Sequence, residues 1–261
     1  ILPAGATVFF NLPANYNGST PATLTFTTAN GATIQSFTLH PQPAGGARGA
    51  RGQPDERLTA VEPGMNRFQW NLRYPDAAEV KGIFHSGFSA SQPVGPEVVP
   101  GTYYVTLTYG GTTQKQPLVV KLDPRLTTTQ AALQQRFDLL MRVHNAVNGL
   151  DTTLNKAIET RDALQKKVAG GSATAQQRAA LDKLNHDIDD LVDLKIQSGE
   201  GALVYPGRLR AWLSAITGQV GMAFVAPTPA MVQVGNGYVR DAAAGVARLE
   251  ADMAATRSVV P

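Results

Sequence analysis

The sequence predicts a multidomain α+β chain: an immunoglobulin-like antiparallel β-sandwich over residues 1–123, then an antiparallel helical bundle over residues 124–261. Three observations predict it. The first part is rich in Thr, Gly, Pro and aromatic residues and alternates at period two, the repeat of a half-buried strand. Asn30-Gly31 and Gly110-Gly111 fall between such runs, and both dipeptides favour the positive φ angles of tight hairpins. After Asp123-Pro124 the apolar spacing changes to three and four, the stripe of amphipathic helices.

Taken in order, the strands are expected at Thr7-Asn11, Thr23-Ala29, Thr33-Leu39, Asn66-Leu72, Thr102-Tyr109 and Gln114-Lys121. The fourth is the most informative. It leaves a Pro63-Gly64 turn, places Asn66, Phe68, Trp70 and Leu72 on one face, and stops at Tyr74-Pro75, where proline removes a ladder donor. Six or seven short strands with such turns read as a sandwich of immunoglobulin type. The long gaps, about His40 to Val61 and Pro75 to Pro100, read as Gly/Pro-rich loops or insertions.

Thr127 with Gln130 fits a capping box for a first long helix. Its stripe is Leu133, Phe137, Leu140, His144, Val147, Leu154 and Ile158, and it runs to about Val168. Gly170-Gly171 breaks it. Ser172 or Thr174 caps a second helix carrying Leu181, Leu184, Ile188, Leu191 and Leu194, so the two form an α-hairpin. Pro206 opens a shorter third helix with Leu209, Trp212, Leu213 and Ile216. Thr228-Pro229 supplies an N-cap and an N1 proline for a fourth, with Met231, Val234, Tyr238, Val246, Leu249 and Met253.

At 261 residues, 43% hydrophobic and 16% charged, the chain is long enough for one large or two ordinary folded domains. A net charge of +3 with no concentrated basic stripe argues against nucleic acid as a partner. The arginines Arg48 and Arg51, in a Gly/Ala-rich stretch followed by Asp55 and Glu56, read as a solvated loop. With no cysteine, disulfides and thiolate metal sites are excluded. No apolar run reaches the ~20 residues of a membrane span. The opening on Ile1 in place of methionine reads as a processed or excised piece.

The residues that carry chemistry do not assemble into a motif. His40, His85, His144 and His186 lie far apart without partners at ligand spacing. The acidic run His186 to Asp193 lies on a predicted helix and lacks the glycine of a calcium loop, so it reads as a solvated helix face with Lys183 and Lys195 nearby. There is no Gly-x-Ser-x-Gly elbow and no phosphate loop. No catalytic residue, metal ligand or cofactor is therefore expected. Aromatic residues are the remaining candidates. Trp70 and Tyr104 read as core, with a sugar-stacking platform as the alternative, while Phe84 and Phe88 read as an exposed pair or, equally, as a seal at the joint between sandwich and bundle. Asn17-Gly18-Ser19 matches the glycosylation triplet.

Three ordered blocks carry a resemblance: Gly5 to Pro13 (Gly-Ala-Thr-Val-Phe-Phe-Asn-Leu-Pro), Gly64 to Pro75 (Gly-Met-Asn-Arg-Phe-Gln-Trp-Asn-Leu-Arg-Tyr-Pro), and Pro100 to Val105 (Pro-Gly-Thr-Tyr-Tyr-Val). With Asp123-Pro124-Arg125 and Phe137-Asp138-Leu139-Leu140, they resemble the C-terminal region of large bacterial sortilin-like proteins with BNR (Asp-box) β-propellers. Those proteins are often labelled glycosyl hydrolase or exo-sialidase. The resemblance implies an immunoglobulin-like module, similar to that of the flagellar hook-capping protein, followed by a helical tail, in a secreted or periplasmic protein. The Asp-box signature and any propeller-length sequence are absent, so no functional residue carries over.

The expected function is that of a non-catalytic structural or interaction module, docking on an upstream β-propeller domain or joining other protein chains. The alternative is a carbohydrate-binding accessory module, meeting polysaccharide through Phe84, Phe88 or Trp70.

Overall fold

The computed structural model describes residues 5–41, 59–83, 94–194 and 207–258. Over these the chain is mixed α+β, with two sheets and four helices. It divides into two compact units. One holds Ile1–Pro75 and Glu97–Thr127, the other Asp76–Pro96 and Thr128–Pro261. The stretch expected as a loop or insertion in the strand-rich half thus contributes Asp76–Pro96 to the helical unit.

The strands of the first unit are β1 (Ala6–Leu12), β2 (Ala22–Thr28), β3 (Thr33–Pro41), β4 (Ala60–Val61), β5 (Gly64–Trp70), β6 (Gly101–Tyr109) and β7 (Thr112–Val120). One sheet is β4-β3-β2-β6-β7 and the other is the pair β1-β5. All pairings are antiparallel except the short contact of β3 with β4. The hairpins form where the sequence predicts them. Gly31 takes φ 88° while the Thr28 amide donates to Ala32 O, and Gly110 and Gly111 take φ 56° and 78° between β6 and β7.

Period-two alternation builds a shared aromatic core between the sheets. Phe26 on β2 stacks on Trp70 of β5 with ring centroids 4.4 Å apart, and Phe37 on β3 meets Phe68 at 4.8 Å. Tyr103 closes the edge of the Trp70 ring at 6.2 Å and donates its hydroxyl to Val99 O at 2.7 Å. Burial, with the Tyr74 charge beside it, pushes the Tyr103 phenol up to about 12. Gly5, at φ 98°, lets β1 close on β5: a Cβ there would lie 2.1 Å from Trp70 O.

Leu72, expected as the last inward residue of this strand, instead lies beyond it in the left-handed region at φ 62°. Its carbonyl accepts the Val98 amide at 2.8 Å, and the Asn71 side chain accepts the Arg73 amide at 3.1 Å. Those bonds hold the turn that a leucine would not choose alone. On the outer face the alternation leaves hydroxyls in register: Thr38, Thr23, Thr108 and Thr113 form one rank across β3, β2, β6 and β7. Tyr104 sits on this face, under the Lys115 ammonium at 4.2 Å, and is not a core residue.

The helices of the second unit are α1 (Gln130–Ala169), α2 (Ala175–Leu191), α3 (Leu209–Gly221) and α4 (Pro229–Ser258). The N-cap of α1 is Thr129, accepting from the Ala132 amide, two residues later than the box expected at Thr127. Thr174 caps α2 in a full capping box with Gln177, and the Thr228 hydroxyl accepts the Met231 amide at the start of α4. Pro206 lies outside the described residues.

One buried cluster includes Val147 and Leu154 of the predicted α1 stripe together with Leu139 and Leu150, which the stripe did not name, Leu184 and Ile188 of α2, Leu213 and Ile216 of α3, and Leu249 and Met253 of α4. Phe137 and His144, expected on the α1 stripe, are only half-buried, because the inward face centres on Leu139, Val147, Leu150 and Leu154, and Trp212 and Val234 of the expected α3 and α4 stripes are exposed. Ala77 and Val80 join it. Gly245 permits the close approach of α4 to α2, since a Cβ would meet Leu191 Cδ2 at 2.7 Å. Arg136, buried on α1, closes the end of α3 by donating to the carbonyls of Val220 and Gly221 at 3.1 and 2.9 Å. There its charge also opposes the negative end of the helix dipole. Among the described residues no helix is long and apolar enough to cross a membrane.

Trp70→Ala removes the ring that spans the two sheets, and is expected to cost about 3–5 kcal/mol in urea unfolding. Tyr103→Phe keeps the ring, loses one hydrogen bond, and is expected to cost about 1 kcal/mol. Equal losses from the two variants would contradict this division.

Candidate functional site

Of the aromatic residues put forward for sugar or partner contact, Trp70 is wholly buried. Phe26 covers it, Tyr103 meets its edge, and its indole N–H donates to Arg73 O at 3.2 Å. It presents no ring face on which a sugar can stack. Phe84 and Phe88 lie outside the described residues, as do His85 and the Arg48–Arg51 stretch. Asn17 of the glycosylation triplet turns its side-chain oxygen back onto Ser19, accepting from its amide at 3.0 Å and its hydroxyl at 2.7 Å.

Two charge clusters in the helical unit are what the fold brings together. The first is a wholly buried pair. Arg210 Nε on α3 donates to both carboxylate oxygens of Asp151 on α1, at 2.8 and 2.7 Å, and its Nη1 reaches the Ser214 hydroxyl. Arg210 Nη2 is buried and finds no hydrogen-bond partner among the described residues. Burial pushes the Asp151 carboxyl up to about 6, against the pull of Arg210, and the nearby Glu79 carboxylate adds to the rise. The sequence signal was faint. Asp151 falls on the apolar side of the α1 stripe, between Val147 and Leu154, and so does Arg210 beside Leu209 and Leu213.

The second cluster revises the acidic run on α2. Asp187 was expected on a solvated face, yet it is buried. Lys183 Nζ bridges it to Asp252 of α4, at 2.8 and 2.5 Å. Arg248 of α4 approaches Asp187 at 3.3 Å and Asp190 at 3.7 Å. Burial and the bond to Asp187 push Asp252 up. Asp187, which burial would also raise, is drawn down by its bonds to Asp252 and Lys183 and by the Arg248 charge.

His186, Asp187 and Asp190 place one donor atom each within 4.8 Å of one another, a set that fits a divalent cation in donor type. The geometry supplies a different counter-charge: Lys183 and Arg248 already lie against these carboxylates. Ion pairing joins α2 to α4 here. His144 on α1, half-buried, is lowered by burial while the Asp76 carboxylate pulls the other way. Near the segment boundary, Asp123 pairs with Arg125 at 2.5 Å, and that hydrogen-bonded guanidinium holds its carboxyl down at about 2.

The apolar surface is less evenly spread. On the connection between α3 and α4, Met222 is 85% exposed, Val225 58% and Phe224 42%, with the Phe224 ring over the Arg136 guanidinium at 5.1 Å. Trp212 and Val234 are exposed on the adjoining helices. In the first unit, Phe9 and Met65 point away from the aromatic core, on the outer face of the β1-β5 pair.

Comparison with protein-family models, with curated proteins and with solved structures finds no match to this chain.

An acid whose folded pKa lies above its unfolded value holds a proton more tightly when folded. For Asp151 that contribution is complete below pH ~4 and is lost as the pH rises through about 6. Relative to Asp151→Asn, the native chain is therefore expected to gain up to about 3 kcal/mol of unfolding free energy between pH 7.5 and pH 4. Urea titrations of both chains across that range measure it, and parallel curves would refute the assignment.

Proposed function

We propose that this chain is a non-catalytic structural and interaction module, in which an immunoglobulin-like β-sandwich precedes an antiparallel helical bundle. In this reading it is the C-terminal part of a secreted or periplasmic bacterial propeller protein, and it docks on the propeller or joins protomers. The observation that carries the interaction reading is the exposed apolar run Met222, Phe224 and Val225, on a unit whose helices have already closed a core of their own. Apolar side chains gathered at one tip of a closed unit favour contact with another surface.

Several features support the finer architecture. The two sheets face each other across Phe26, Phe68 and Trp70. Tyr103 near the start of β6 returns its hydroxyl to a carbonyl four residues upstream, as the tyrosine corner of immunoglobulin-like domains does. On the helical side, short links join α1 to α2 and α3 to α4. The clustered charges support a non-catalytic reading because each is engaged in joining helices: Asp151 with Arg210, and Lys183 with Asp187 and Asp252. The carbohydrate-binding alternative gains nothing from Trp70, whose ring is enclosed.

The double variant Met222→Asp, Val225→Asp is expected to leave the circular dichroism spectrum unchanged. It is expected to weaken association, with itself or with an upstream propeller domain, by at least about tenfold, read by sedimentation velocity. Hydrolysis of a glycoside or peptide substrate, abolished by alanine at one carboxylate, would overturn the reading.

A further inference from the structure

Residues Asp76–Ile83 lie against α1 without belonging to any helix or strand. They are held mainly through their main chain. The Ala78 amide donates to Asn148 Oδ1 and the Lys81 amide to Asn155 Oδ1, each at 2.8 Å. Asn155 Nδ2 in turn donates to Glu79 O at 2.8 Å. Asn148, Asn155 and Glu159 follow one another at seven and four residues, so they rank along one face of the helix. Beneath this row, Ala77 and Val80, three residues apart, insert into the apolar cluster, and Val80 is 1% exposed. At the rim, Lys81 pairs with Glu159 at 2.7 Å in the solvent. A turn ends the segment: the Ile83 amide donates to Val80 O, with Gly82 at φ 83°.

This is the anatomy of a peptide in a receptor groove. Side-chain amides read the peptide backbone whatever its sequence, the apolar cluster takes in a small residue and a branched aliphatic one, and a rim carboxylate favours a following base. We infer that the face of α1 bearing Asn148, Asn155 and Glu159 is a docking groove for an extended peptide. Its ligand has an alanine-sized residue, then valine or a close relative three positions on, then lysine or arginine. The chain's own Asp76–Ile83 fills it in cis. A tethered occupant competes at an effective concentration of the order of millimolar, so a free peptide meets a groove already taken. The inference rests on reading the chain as an interaction module and gives that reading a second surface, independent of Met222–Val225.

The test uses the full chain and a dye-labelled peptide of sequence Asp-Ala-Ala-Glu-Val-Lys-Gly-Ile, followed by fluorescence anisotropy. In the Val80→Gly chain the cis occupant is weakened, and peptide binding is expected at least tenfold tighter than in the native chain. Adding Asn148→Ala and Asn155→Ala is expected to lower it again by at least tenfold. A folded Val80→Gly chain that binds no peptide overturns the inference, and leaves the apolar tip of the helical unit still to be judged by its own variants. Should Val80→Gly fail to fold, hydrogen exchange of the native chain decides. Ala78 and Lys81 amides exchanging at least tenfold faster than the amides of Leu150 and Leu154 support a segment that lifts while the helices stay formed. Exchange of all four at one common rate makes the segment a permanent part of the core and overturns the inference.

Discussion

The buried ion pair between Arg210 and Asp151 is the constraint on which the helical unit depends. A carboxylate and a guanidinium taken fully out of water each cost several kcal/mol, and their attraction offsets this only when the geometry is close to ideal. Here one nitrogen serves both carboxylate oxygens at 2.8 and 2.7 Å, while another nitrogen has no partner among the described residues. Such a pair adds little net stability compared with an apolar replacement. It does penalise every arrangement in which the two charges fail to meet. The pair thus fixes the placement of α3 against α1, where a stripe of Leu, Ile and Val alone would tolerate neighbouring rotations and slips.

The same logic runs through the second cluster. Lys183 bridges a carboxylate of its own helix and one of α4, and Arg248 returns from α4 to two carboxylates of α2. Leu191 meanwhile fills the space that Gly245 leaves open. Charges, one glycine and an apolar stripe agree on a single seating of these helices, which is the consistency that marks a specified fold. The charged groups of these two clusters are thereby engaged between helices. Among the described residues, the outward features include the apolar side chains of Met222, Phe224 and Val225, Phe9 and Met65 on the β1-β5 pair, and a hydroxyl-bearing sheet face.

Much of this was legible in the sequence wherever periodicity carried it. The strands around Phe26 and Trp70 and the helices around Leu150 and Leu184 lie within a few residues of their predicted places, because a buried face admits only one period. Ends were less legible. Thr129 displaced Thr127 as the cap of α1, since both offer the same hydroxyl and the first buried turn decides between them. Leu72 left the strand pattern because hydrogen bonds to Val98 and around Asn71 override the preference of leucine. The segment around Ala77 and Val80 was invisible as structure. Its partners, Asn148 and Asn155, lie some seventy residues away and have no periodic signature. The burial of Asp187 was hidden likewise, because its neutralising arginine comes from another helix.

A double-mutant cycle on Asp151→Leu and Arg210→Met, by urea unfolding at pH 7, tests the central claim most directly. If the pair specifies the helical unit, each single variant leaves a buried charge alone and costs about 3–5 kcal/mol. The double variant then costs far less than the sum, with a coupling of about 2 kcal/mol or more. Losses that add to within ~0.5 kcal/mol would show that the two charges act independently, and would contradict the account.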